Sequence, residues 1–138
     1  DLDPDSYRIE IPTDKIAIGE IRDGVQYVSI DVKENEYSPA VVVLQDNVET
    51  VWTINGSELN DHNAQMIFPE YNTRLEVREG ENAVRVMPEF DFTFRCWLGS
   101  MNGYVKIVED INHINIDQIK EEVKDYQPPS GAGGALCH

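Results

Sequence analysis

Along most of this chain the apolar residues come in short runs with a period of two, broken by turn residues. That is the pattern of a β-sandwich or barrel. In the run Val25 to Val32, directly after the turn signal Asp23-Gly24, Val28, Ile30 and Val32 alternate with Ser29 and Asp31. Ala40 to Leu44 is apolar at every position, which predicts a strand covered on both faces. Val48 to Ile54 sets Trp52 and Ile54 on one side. Glu79-Gly80 separates Thr73 to Arg78 from Asn82 to Met87, a spacing that predicts a hairpin. In Phe90 to Cys96 the residues Phe90, Phe92, Phe94 and Cys96 share a face, and Asp91, Thr93 and Arg95 share the other. Period two thus delivers the Cys96 thiol to the end of an aromatic stripe. Gly103 to Val108 follows, with Val105 and Ile107 on one side and Tyr104 and Lys106 on the other.

Near the C-terminus the period changes. Ile116, Ile119, Val123 and Tyr126 recur at helical spacing, and Asn115 with Gln118 resembles a capping box. Pro128-Pro129 ends this helix, whose apolar stripe is expected to pack on the sandwich. Residues Ser130 to Ala135 are small, like a linker. The expected layout is a sandwich over residues 1–111, the helix in 112–127 and a tail at 128–138.

Length and composition change this picture little. The 138 residues suit one domain with a real core, and 41% hydrophobic content is ordinary for a globular chain. Charge excludes more: a net −15 repels nucleic-acid phosphates, whereas cations or a basic partner protein would be attracted. No apolar run approaches the roughly 20 residues that cross a membrane. The chain starts at Asp1 without Met, so the expectation is a removed leader or an excised domain. Two cysteines, Cys96 and Cys137, admit one disulfide, but one ends an aromatic strand and the other follows a glycine-rich stretch. Such different settings argue against a structural pair.

Candidate chemistry sits where strands end. His62 follows Val51-Trp52-Thr53-Ile54-Asn55 and a polar loop, Cys96 ends the aromatic strand, and Met101 lies five residues later. Singly, these are a solvated imidazole, a small buried hydrophobe and a space-filling thioether. Together they suit Cu(I), a soft ion that favours thiolate and thioether and accepts imidazole. Adjacent strand ends can place Cys96 and Met101 at one point, a distant loop can add His62, and Phe92, Phe94 and Trp97 can wall the site. Zinc suits Cys and His too, but thioether tips the choice to copper. Met66 is a further thioether or a packing residue; His113 reads as exposed; Cys137-His138 is a terminal chelator and a candidate source of another ligand. There are no paired histidines for a catalytic copper, no nucleophile with an evident base and no phosphate loop, so an enzyme is not expected.

From about Val25 to Val108 the chain resembles the cupredoxins, copper-binding Greek-key β-sandwiches. Val51 to Asn55, continuing to His62-Asn63, resembles the strand and loop of their first histidine. Phe92-Thr93-Phe94-Arg95-Cys96 resembles the strand of the copper cysteine, and Ser100-Met101 to Val108 the segment of the axial methionine. The resemblance implies His62, Cys96 and Met101 as ligands. Phe68-Pro69-Glu70-Tyr71-Asn72 and Cys96-Trp97 are similar to segments of cupredoxin-like domains fused to bacterial sulfite-exporter-type membrane proteins, which often have cysteine at the position of His62. That likeness implies an extracytoplasmic place, periplasmic or cell-surface, as a domain of a membrane protein. Trp97-Leu98-Gly99-Ser100 lacks the second histidine of a blue-copper loop. Cu(I) held by one nitrogen and two sulfurs is therefore expected over a blue Cu(II) site. The function expected is copper handling with a copper-donor or copper-acceptor protein, electron transfer being a variant. The alternative is a metal-free interaction domain on the same frame.

Overall fold

The computed structural model describes residues 10–127. Ile16–Ile18 (β1) and Glu20–Arg22 (β2) lead into Val25–Val32 (β3) and the short Tyr37–Ser38 (β4). Val41–Gln45 (β5), Thr50–Gly56 (β6), Gln65–Phe68 (β7) and Thr73–Glu76 (β8) follow. Gly80–Val86 (β9), Phe92–Cys96 (β10), Asn102–Val108 (β11) and the helix Ile116–Asp125 (α1) complete the described chain. One sheet runs β1-β5-β11-β10-β7-β8 and the other β2-β3-β6-β9, with β4 paired to β3. β5 lies parallel to both β1 and β11, and β3 lies parallel to β6, so the chain repeatedly crosses between sheets.

Several strands form for a legible reason. Asp23 (φ 52°) and Gly24 (φ 82°) are both left-handed, the geometry of a two-residue turn matched to sheet twist, and they close the β2–β3 hairpin at Arg22 and Val25. The apolar run Val41 to Leu44 of β5 is buried on both faces. Val42 and Leu44 enter the core between the sheets, while Val41 and Val43 lie under α1 with Ile119 and Val123. Between the sheets Trp52 meets Phe68 and Phe94 edge-on at 5.9 and 5.1 Å, an arrangement aromatic quadrupoles favour.

Two expectations need correction. Thr73–Glu76 and Gly80–Val86 do not form a hairpin: β8 pairs with β7, and β9 pairs with β6 in the other sheet. The bend at Gly80 (φ 90°) is real, but Val77 is buried and donates its N–H to the Ala64 carbonyl, anchoring the chain as it crosses. The Asn82 amide then bridges Arg78 to Ile54, which aims β9 at β6. The aromatic stripe is also shorter than its alternation suggests. β10 begins at Phe92, and Phe90 is exposed, stacked on Tyr71 at 5.3 Å. Asp91 explains the stop: its carboxylate accepts from the Tyr104 hydroxyl and the Ile107 amide, so the chain there serves as a clasp.

In α1 the Asn115 side chain accepts from the Gln118 amide, but the Gln118 side chain donates to Glu122 and leaves the capping box half built. Lys106 of β11 reaches Glu122 at 2.9 Å and Tyr104 packs on Tyr126, so the outward face of β11 fastens the helix.

Candidate metal centre

The Cys96 side is a tight loop wrapped about a sulfur atom. The Cys96 amide donates to the Met101 carbonyl at 3.1 Å, and the Gly99 amide to the Cys96 carbonyl at 2.9 Å. Gly99 supplies the left-handed backbone (φ 82°) that this return requires. Inside the turn the Met101 amide donates to Cys96 Sγ at 3.3 Å, and the Ser100 hydroxyl lies 3.5 Å from it. Burial pushes the thiol pKa up. Hydrogen bonds from the Ser100 hydroxyl and from the Met101, Ser100 and Gly99 amides outweigh it and hold the thiol below its ordinary value. The thiolate is the form that binds metal.

Thioethers flank this sulfur. Met101 closes the loop and is buried. Met66 of β7 stands directly across the ladder from Cys96 and has no exposed surface. Antiparallel partners direct their side chains to one face, so Met66, Cys96 and Met101 lie in the same buried cluster.

The His62 side is built from amides. Asn60 Oδ1 accepts from the His62 and Asn63 amides, both at 3.0 Å. Asn63 is fully buried; it donates to the Lys33 and Glu58 carbonyls and accepts from the Asn60 amide at 2.7 Å. Thus fixed, the loop presents a half-buried imidazole whose Nδ1 is buried without a hydrogen-bond partner. Buried polar atoms are ordinarily satisfied, so an orphan on a residue fit to ligate a metal is informative.

Trp97 joins the two sides. Its indole N–H donates to the Asp61 carbonyl at 3.0 Å, bringing the residue after Cys96 onto the residue before His62. The structure therefore gathers Cys96 and Met101 in one turn, adds Met66 across the ladder, and ties the His62 loop alongside. Trp97 is a cross-loop tie with 48% of its surface exposed, whereas Phe92 and Phe94 are buried in the core between the sheets. His113 is exposed and paired with Asp110 at 2.8 Å; Cys137 and His138 lie outside the described residues. Sequence reasoning missed the Ser100 hydroxyl and the Asn60–Asn63 network. Only the runs of small polar residues around them hinted at either.

The donor set suits a soft cation. Among the described residues no three His, Cys, Asp or Glu side chains gather into a metal-holding group, so a metal here would draw on thioether as well as thiolate and imidazole.

This architecture is an all-β, cupredoxin-like Greek-key sandwich with one C-terminal helix. No protein-family model and no curated protein sequence matches the chain. Among solved structures it is similar to the metal-binding domain, with Cu(I), of the Cu(I)-exporting P-type ATPase CopA of Streptococcus pneumoniae D39. The TM-score is 0.62 at 20% identity over 69% of this chain and 97% of that one. It is also similar to a copper-binding protein solved by NMR in the apo form, with TM-score 0.60 at 22% identity over 66% of this chain and 95% of that one.

Proposed function

We propose that this chain is a copper-binding module that holds Cu(I) through Cys96, Met101 and His62 and exchanges it with a copper-donor or copper-acceptor protein. The observation that carries the reading is the Cys96 thiol, depressed by converging donors, beside buried thioethers and a loop whose imidazole nitrogen has no partner. Cys96 would be the anionic anchor, Met101 the thioether and His62 the neutral imidazole, with Met66 in reserve across the ladder. The two solved structures named above are described as Cu(I)-bound and copper-binding, which supports copper as the cargo.

Electron transfer is the variant, and it requires one geometry that accepts both Cu(I) and Cu(II). The Trp97–Ser100 loop carries no imidazole, which favours Cu(I) handling. The module binds and passes its metal and catalyses nothing. Its resemblance to cupredoxin-like domains of sulfite-exporter-type membrane proteins supports an extracytoplasmic place, periplasmic or cell-surface, on such a protein.

The test is anaerobic titration of reduced protein with Cu(I) against a chromophoric chelator, followed by oxidation. One equivalent should bind tightly, Cys96→Ser should lose it, and oxidation should raise no intense thiolate-to-copper band. Equal binding by wild type and Cys96→Ser would sink the site, and no binding by wild type would leave the metal-free interaction domain as the reading. An intense band would return electron transfer to the front.

A further inference from the structure

An exposed indole ordinarily gives its N–H to water. Trp97, nearly half exposed, instead gives it to a main-chain carbonyl 36 residues away in sequence. Both ends of this bond are placed with respect to the donor set: Trp97 immediately follows Cys96, and Asp61 immediately precedes His62. Elsewhere the two loops are wired to themselves or to other parts of the frame. Asn60 and Asn63 bind within their own loop, Glu58 included, and to residues 33 and 34. The Cys96 loop closes through Gly99, Ser100, Met101 and Asn102. Among the described residues the Trp97–Asp61 bond is the one hydrogen bond between loop 57–64 and loop 97–101.

The two sides also differ in freedom. Cys96 is locked by the ladder opposite Met66, and both side chains are fully buried. The His62 imidazole hangs from a loop joined to the Cys96 loop by one hydrogen bond, at its wet edge, among the described residues. We propose that Trp97 is a latch: it holds the His62 loop against the sulfur side, and its opening sets the rate at which bound Cu(I) leaves. This rests on the reading that one Cu(I) is shared between His62 and the sulfurs. While the latch is closed, the imidazole stays at high effective concentration, so a transient break in its bond to the metal is remade before the sulfurs let go. Because water reaches the indole, the latch opens without unfolding either sheet. Its acceptor is backbone, so position 97 is where it can be removed.

Trp97→Phe keeps an aromatic ring and deletes the N–H. Cu(I) transfer to excess chelator would be followed by anaerobic stopped flow for wild type, Trp97→Phe and Cys96→Ser. Thermal unfolding of each apo protein and solvent exchange of the Trp97 indole N–H by NMR complete the set. The expected result is that Trp97→Phe still binds one Cu(I) but releases it on the order of fivefold faster, the scale of one net hydrogen bond. Its unfolding midpoint should stay at the wild-type value, and the wild-type indole N–H should exchange more slowly than a free indole. Release at the wild-type rate, with Cys96→Ser unable to bind, overturns the latch and keeps the site. An indole N–H that exchanges freely, or a fall in unfolding midpoint that tracks the faster release, also overturns the latch. Equal binding by wild type and Cys96→Ser overturns the site, and the latch with it.

Discussion

The loop carrying His62 is held together by asparagine amides, whereas the loop carrying Cys96 is held together in part by the thiol itself. In the first, Asn60 and Asn63 satisfy main-chain groups of their own loop and of Lys33, and leave the imidazole Nδ1 without a partner. In the second, the sulfur accepts the Met101 amide, and Phe94, two residues back on the same face, presses on the Gly103 backbone. Structural and ligating duties are thus separated on one side and merged on the other. Three substitutions, ranked by expected cost to the fold, can break or sharpen that contrast.

Asn63→Ala should cost most. It strips partners from the Lys33 and Glu58 carbonyls and from the Asn60 amide around a side chain with no exposed surface. Leaving such groups unpaired predicts a loss of about 3 kcal/mol in urea denaturation, and weaker Cu(I) binding because the His62 loop loses its shape. A loss below about 1 kcal/mol would mean water replaces the amide, and the loop would not be the rigid mount described.

Gly103→Ala comes next, on the Cys96 side. Gly103 lies across the ladder from Phe94, and a Cβ there would overlap the phenyl ring. Overpacking predicts a loss of about 2 kcal/mol by equilibrium denaturation. Since Phe94 and Cys96 share a buried face, Cu(I) affinity in chelator competition should fall too. Full stability would show that the ring swings aside freely, and the sulfur side would then be softer than its burial implies.

These two positions also mark how much the sequence could reveal. Period two and the apolar run placed β3, β5 and β6 correctly, because each buries its face against a large core and nothing local competes. The helix was legible from its stripe and from Asn115. The crossover at Val77 was not, because Glu79-Gly80 has the chemistry of a hairpin turn whether the chain returns to its own sheet or leaves for the other. Phe90 continued the alternation in sequence but lost its place to the Asp91 clasp, a contact with β11. β1, β2 and β4 are two or three residues long, too short to show a period. At the candidate site, Cys96 and Met101 were readable because a strand end and a short loop bring them together. The Trp97–Asp61 bond joins segments far apart in the chain, so no local pattern announces it.

His62→Ala should have the smallest effect on the fold, and that makes it the sharpest test of the contrast. The imidazole Nδ1 is buried and accepts or donates nothing, so its removal deletes an unsatisfied polar atom along with some packing. The two changes oppose each other, and apo stability should stay within about 0.5 kcal/mol of wild type in urea. Cu(I) affinity should nonetheless drop in chelator competition, because the metal loses its imidazole donor. A residue that costs nothing to fold and much to bind is one retained for its ligand. If His62→Ala instead destabilised the apo protein by more than about 1 kcal/mol while leaving Cu(I) affinity unchanged, the imidazole would be structural. The metal would then rest on Cys96, Met101 and Met66, and the division of labour between the two loops would fail.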